Sequence, residues 1–253
     1  MLPYYETELG KLYHGDCLEI MPHLEPVDLG ITSPPYNVGI KYGDKDYKSD
    51  KLDIEKYKKW SNEVLKNLAS LLVDGGRFCI EVGGSGRNLP LSWIWQDASY
   101  NNGLGLFSEI VIPHRKTNPT AWGSWLKADN VYTIPNFHML YVFYKESATK
   151  KNGDTEIAKK DFVEWTRGHW NINYTIGKVK GHPASFPVEI PFRCMGLFGH
   201  KDDIILDIFL GSGTTGLTCE RLNRRWIGIE IEEKYCEISA KRIEKERSQL
   251  KLF

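Results

Sequence analysis

The stretch from Asp203 to Arg247, "DIILDIFLGSGTTGLTCERLNRRWIGIEIEEKYCEISAKRIEKER", leaves few options for the fold. It reads as strand, glycine turn, helix, strand, helix. Cys236, Ala240 and Ile243 supply the apolar stripe of the last helix. Gly211, Gly213 and Gly216 follow a strand and open a helix, which is the context a Gly-x-Gly-x-x-Gly fingerprint requires. Glycine lets a ligand approach the backbone closely, and a helix start presents N–H groups to it. Glu230 ends the next strand, where a carboxylate can accept both hydroxyls of a ribose. The pair points to an adenosine-containing cofactor. No lysine follows the last glycine, so this is not a P-loop. Asp207 stands just before the glycines. A carboxylate suits an ammonium group there better than a pyrophosphate, which favours S-adenosyl-L-methionine. A cap on the turn is the other role open to Asp207.

Upstream, Lys11–His14, "VDLGITS", "RFCIEVG", "SEIVIP" and "FHMLYVFYK" read as strands. Asp53 is placed to N-cap a helix carrying Tyr57, Ser61, Val64, Leu68 and Leu71, with "DGG" at 74–76 ending it. "SFPVEIPFRCMGLFG" is a short helix with Pro187 near its first turn. Strands alternating with helices imply a mostly parallel sheet covered on both faces, a doubly wound α/β fold. Residues 39–52 and 114–136 read as loops. Residues 145–180 are polar and change character, and form a candidate inserted lobe on an otherwise single domain spanning 1–253.

Lysines plus arginines number 33, as do acids, so net charge alone suggests no polyanion partner. The charge is uneven, and a neutral total can hide a basic cleft. Five scattered cysteines without a CxxC argue against a disulfide framework or a zinc site. No apolar run spans a membrane and no leader is evident, so a cytoplasmic protein is expected.

Thr32-Ser33-Pro34-Pro35-Tyr36 follows a buried strand. Proline fixes φ and belongs at a strand's end, so this turn is rigid. An exocyclic amine of a base is a poor nucleophile, because its lone pair is delocalised into the ring. Two acceptors aimed at its hydrogens would localise that pair, and the Ser33 hydroxyl and Pro34 carbonyl suit the task. Tyr36 can stack on a flipped-out base. Methyl transfer then needs little beyond in-line positioning.

TSPPYN together with DIFLGSGTTG resembles the amino-methyltransferases of DNA, which make N4-methylcytosine or N6-methyladenine. The catalytic motif precedes the glycines, an order similar to the beta class. The resemblance implies a Rossmann-like fold with permuted motif order and S-adenosyl-L-methionine as cofactor. It implies catalytic work by Ser33, Pro34, Pro35 and Tyr36. It also implies cofactor contacts from Asp16 and Cys17 of "HGDCLEIM", with Asp16 on the adenine. His182, Ala184 and Phe186 of "HPASFPVEIP" would lie at the methionine end. Asp207, Phe209, Gly211, Ser212, Gly213, Thr214 and Glu230 would complete the set. "NPTAWGSWLKADN" resembles a loop of cytosine-N4 members, and Ser33 in place of an acid marks cytosine. Ile208 departs from a common proline, with little consequence expected. Double-stranded DNA is the implied partner. Lys41, Arg115, Lys116, Trp165, Arg167 and Trp170 are its expected contacts, and the tryptophans can equally anchor the lobe's own core. A restriction endonuclease acting separately and a homodimer are further implied associations. An adenine-N6 enzyme is the nearest alternative. A nicotinamide oxidoreductase and an inactive DNA-binding module are more distant ones. Cytosine-C5 chemistry is disfavoured, because no Pro-Cys pair occurs.

Overall fold

The computed structural model describes residues 1–37, 39, 52–83, 90–113, 135–150, 153–154, 156–174, 179–183 and 185–250. Its strands are β1 (Tyr5–Glu6), β2 (Gly10–His14), β3 (Val27–Thr32), β4 (Leu72–Gly83), β5 (Leu104–Pro113), β6 (Phe137–Lys145), β7 (Ile204–Asp207) and β8 (Arg225–Glu230). The helices are α1 (Cys17–Ile20), α2 (Ile54–Leu71), α3 (Leu91–Asn101), α4 (Lys159–Trp165), α5 (Glu189–Phe198), α6 (Thr214–Arg221) and α7 (Glu233–Leu250). The sheet order is β1-β2-β8-β7-β3-β4-β6-β5. Strands β2, β8, β7, β3 and β4 run parallel, β6 runs antiparallel between β4 and β5, and β1 is antiparallel to β2.

Helix α2 starts where expected: the Asp53 side chain accepts from the Lys56 N–H at 3.0 Å. Its buried face runs through Tyr57, Ser61, Val64, Leu65 and Leu68. The chain does not stop at the glycines that follow. They lie inside β4, where pairing with β3 jumps from Val27↔Leu72 to Leu29↔Arg77. Gly75, at φ +77°, supplies the left-handed residue this bulge needs. Helix α3 was not anticipated, although Leu91, Ile94, Trp95 and Ala98 bury one helical face.

Side chains alternate across the sheet. In β4, Phe78, Ile80 and Val82 enter the layer under α2 and α3, and Cys79 enters the layer under α5, α6 and α7. In β6, Tyr141 and Phe143 take the first side, and Leu140 and Val142 the second. Crossovers from β3 to β4 and from β7 to β8 leave in opposite directions. A crevice therefore opens beyond the carboxyl ends of β3 and β7, where doubly wound sheets bind ligands.

The polar segment beyond β6 is not detached from this core. Trp165, Trp170 and Ile172 are buried in the second layer, and Trp170 is 0% exposed. The Trp170 indole donates to the Trp165 carbonyl at 2.7 Å, and residues 168–170 bond to Val111 on β5. The two tryptophans therefore take the core-anchoring role of the two open to them. They anchor the segment to the sheet edge because their large apolar area is worth more buried than exposed. Trp170→Ala should cost about 3–5 kcal/mol of stability by urea unfolding. An unchanged midpoint would contradict this buried role.

Candidate functional site

Beyond the ends of β2, β8, β7, β3 and β4 lies a cavity of about 300 Å³. It is lined by Ser33, Pro34, Pro35 and Tyr36 on one side and by Asp16, Cys17, Gly211 and Glu230 on the other. Phe186, Phe209, Ser212, Thr214 and His182 also line it. Residues from the first 36 positions and from beyond 180 thus share one pocket, because β3 and β7 are sheet neighbours.

The glycine turn is tightly built. Gly211 and Gly213 have φ of +55° and +81°. A Cβ at Gly211 would sit 2.8 Å from His182 Nε2, and one at Gly213 would sit 2.8 Å from Ser239 Oγ. The Gly211 N–H donates to Glu230 Oε2 at 2.7 Å, and the Glu232 N–H donates to Glu230 Oε1 at 2.8 Å. Burial pushes the Glu230 carboxyl up to about 7. Each of its oxygens keeps a lone pair for a hydroxyl donor. His14 pairs with Glu230, so Asp16 follows two residues beyond that pairing. Asp16 also caps α1, accepting from the Leu18 N–H at 2.9 Å. Burial, with Arg242 nearby, lowers His182 to about 4, so its ring is neutral. Its buried Nδ1 has no partner among the described residues. Two carboxylates, aromatic walls, a close-approach glycine and an orphaned imidazole nitrogen suit an adenosine with a polar tail.

Asp207 and Gly213 lie outside the lining. Asp207 is 1% exposed. Its Oδ1 accepts from Thr32 Oγ1 at 2.7 Å and from the Phe209 N–H at 3.1 Å, and its Oδ2 accepts from Thr215 Oγ1 at 2.6 Å. Its oxygens are turned to these donors rather than into the cavity. It clamps the glycine turn to the strand that carries the Ser-Pro-Pro-Tyr motif.

That motif is braced from below. The Tyr57 hydroxyl donates to the Pro35 carbonyl at 2.6 Å, and the Trp95 indole donates to the same hydroxyl at 3.1 Å. Asn37, at φ +57°, clasps Leu52 through both amide atoms at 2.6 and 2.8 Å. A Cβ on Gly83 would fall 2.9 Å from the Tyr36 ring, so that glycine seats the tyrosine.

Sequence reasoning missed the centre of this wall. Glu81, 2% exposed, stands behind Ser33. Ser33 Oγ donates to Glu81 Oε2 at 2.7 Å and the Tyr36 hydroxyl donates to the same oxygen at 2.9 Å. The Tyr174 hydroxyl donates to Oε1 at 2.8 Å, and His138 Nδ1 pairs with that oxygen too. Burial alone would push the Glu81 carboxyl up. The His138 charge, with bonds from His138, Ser33 and Tyr174, outweighs it and holds the group at about 2. His138 is drawn down by burial and up by Glu81, and the net shift is upward. The signals were present: an acid in the apolar run "FCIEV", and the alternation of Trp170, Ile172 and Tyr174.

Of the expected DNA contacts, Arg167 is exposed beside Lys159, Lys160 and His169 on a concave basic surface. Lys41, Arg115, Lys116 and the cofactor residue Ala184 lie outside the described residues.

The sequence profile of a DNA methylase family, the N6/N4 methyltransferases, matches residues 27–241. The type II methyltransferase M.ScaI of Streptomyces caespitosus is 31% identical over 98% of this chain and 86% of its own length. M.MjaVI of Methanocaldococcus jannaschii is 34% identical over 64% of this chain and 84% of its own. A protein of Thermus thermophilus described as a putative DNA modification methylase, solved with S-adenosyl-L-methionine, superposes with a TM-score of 0.71. It is 26% identical, over 93% of this chain and 95% of that one. The fold is thus that of the S-adenosyl-L-methionine-dependent DNA methyltransferases, and the chain belongs to the N6/N4 DNA methylase family. Its activity is S-adenosyl-L-methionine-dependent methylation of DNA. That assignment sets the dehydrogenase reading aside. Among the described residues no helix is long and apolar enough to cross a membrane.

The Asp207 clamp has a pH signature. Burial raises Asp207 to about 6 against opposing bonds from Thr215, Thr32 and Phe209. A raised carboxyl favours the folded state below its unfolded value and loses that contribution as pH climbs through the folded one. The Asp207 contribution to the urea midpoint of the wild type should therefore fall away between about pH 4 and 6. Asp207→Asn should remove part of that fall, and equal slopes in the two proteins would refute the assignment.

Proposed function

We propose that the protein methylates the exocyclic N4 of a flipped-out cytosine in double-stranded DNA, as the modification enzyme of a restriction–modification system. The observation that carries this reading is the Ser33 hydroxyl, at the pocket wall with its proton directed to Glu81. A hydroxyl that donates backwards presents its lone pairs forwards, which is what an amine hydrogen requires. The bound cofactor supplies an electrophilic methyl group. Everything else falls to the chain. Glu230 and Asp16 hold the nucleoside end, the neutral His182 faces the same space, and Phe209 and Phe186 shield it from water. Tyr36 stacks on the extruded base, and its seat against Gly83 keeps the ring in place. Pro34 offers its carbonyl as a second acceptor for the amine. The bonds from Trp95 to Tyr57 and from Tyr57 to Pro35 hold the turn, so little reorganisation is needed at reaction. Ser33 favours cytosine, because a short hydroxyl with the acid set one bond deeper suits a smaller ring.

Arg167, Lys159 and Lys160 stand where phosphates can be met, and Lys41, Arg115 and Lys116 extend the same role. The segment 145–180 contributes target recognition in this reading. A separately acting endonuclease and a second copy of the chain are the partners it implies.

Incubation of unmodified DNA with S-adenosyl-L-methionine, followed by nucleoside mass spectrometry, should yield N4-methylcytosine. N6-methyladenine instead would overturn the base assignment and leave the cofactor site standing. Ser33→Ala should slow single-turnover methylation by about 10²–10³-fold with DNA affinity unchanged. A loss under threefold would remove Ser33 from the chemistry.

A further inference from the structure

The reaction releases one proton for each methyl moved, and a serine hydroxyl has no capacity to keep it. Glu81 Oε2, 2.7 Å from Ser33 Oγ, is next in line. The carboxylate is placed by three elements at once. Glu81 shares its sheet face with Cys79 on β4, and His138 shares that face with Leu140 and Val142 on β6. Glu81 pairs with Leu140, and Gly83 with His138, so the acid and the imidazole are diagonal neighbours with no side chain on Gly83 between them. Tyr174 arrives from the segment beyond Trp170 and Ile172, and its ring stacks on His138 at 4.6 Å. Its hydroxyl and His138 Nδ1 meet the same oxygen, Oε1, and the Tyr36 hydroxyl lies 3.2 Å from that nitrogen. Oε2 is left to Ser33 and Tyr36.

We propose that His138 is a positioning residue for proton removal: acting through Glu81, it makes the Glu81–His138 pair the store for the proton that the amine gives up. The proposal rests on the methyl-transfer reading above. The amine's lone pair forms the new N–C bond, and the C–S electron pair stays with sulfur. The N–H pair returns to nitrogen as its proton passes to Ser33 Oγ, while Ser33's own proton passes to Glu81 Oε2. The pair begins as carboxylate and neutral imidazole and ends one proton richer, releasing it to solvent after product leaves.

Among the described residues, Glu81 from β4, Tyr36 from the turn after β3, and Tyr174 face His138. Of these only Glu81 is charged near neutral pH, since burial and Glu81 raise the Tyr174 phenol. While the imidazole is charged, Glu81 is held at about 2 and accepts nothing. Once the imidazole is neutral, burial raises the acid and the path opens. The active form is therefore the deprotonated one, and the rate rises with pH through the His138 titration. That titration lies above the ordinary 6.5, because Glu81 favours the charged ring.

The test pairs single-turnover methylation from about pH 5.5 to 9 with an NMR titration of the His138 imidazole in the cofactor-free protein. The two midpoints should coincide above pH 6.5, and Glu81→Gln should move the NMR midpoint downward. His138→Gln should lose the rise and run about 10–100-fold slower at pH 8 with cofactor affinity retained. Tyr174→Phe keeps the stacked ring, removes one bond to Oε1, and should move both midpoints together. It serves if the His138 variant fails to fold. Methylation by the wild type with mismatched midpoints, or an unaltered pH profile in His138→Gln, overturns the proton path alone. No methylation by the wild type overturns the reading beneath it.

Discussion

A single buried carboxylate organises the reactive end of this protein. Removing an ionised acid from water is costly unless it is paired and fully hydrogen-bonded. Glu81 meets that condition with Ser33 and Tyr36 on one oxygen and His138 and Tyr174 on the other. These donors come from three separate parts of the chain. The need to satisfy the charge therefore fixes the Ser-Pro-Pro-Tyr turn, the antiparallel strand β6 and the end of the anchored segment relative to one another. Half-satisfied, the same group would be a defect, which is why its neighbours are so constrained.

The second constraint is topological. The glycine turn lies after residue 207 and the reactive turn near residue 33, yet β7 and β3 lie side by side. Asp207 makes that adjacency functional, since it bonds Thr32 at the base of one turn and Thr215 and Phe209 in the other. A carboxylate that joins the two turns fixes the glycine turn relative to the strand end that carries Ser33. The brace from Trp95 through Tyr57 to Pro35 acts on the opposite face of the sheet. The reactive turn is thus held from both layers of the core.

Much of this was legible from residue order. The glycine spacing and the strand before it placed the turn that lines the cavity, and Asp53 marked the start of α2 correctly. Asp207 stayed undecided in the sequence because its position is compatible both with facing the ligand and with capping the turn, and its burial and donors favour the cap. Trp165 and Trp170 stayed open between DNA contact and core anchoring because a polar neighbourhood hid an alternating apolar face that continues to Tyr174. The bulge at Gly75 looked like a stop, since glycine with positive φ serves helix ends and strand bulges alike. The Glu81 network was out of reach for a physical reason. It depends on the register between β4 and β6, which pairs residues as far apart as Glu81 and Leu140 and is set by turns outside any local pattern.

The most direct test of this account is a double-mutant cycle on the single-turnover methylation rate, using Ser33→Ala, Glu81→Gln and the two combined. If Glu81 acts through the Ser33 hydroxyl, the double variant should be no slower than the worse single variant, within about threefold, because a broken link cannot be broken twice. If the two losses instead multiply, Ser33 and Glu81 act independently, and the buried carboxylate is not what activates the acceptor.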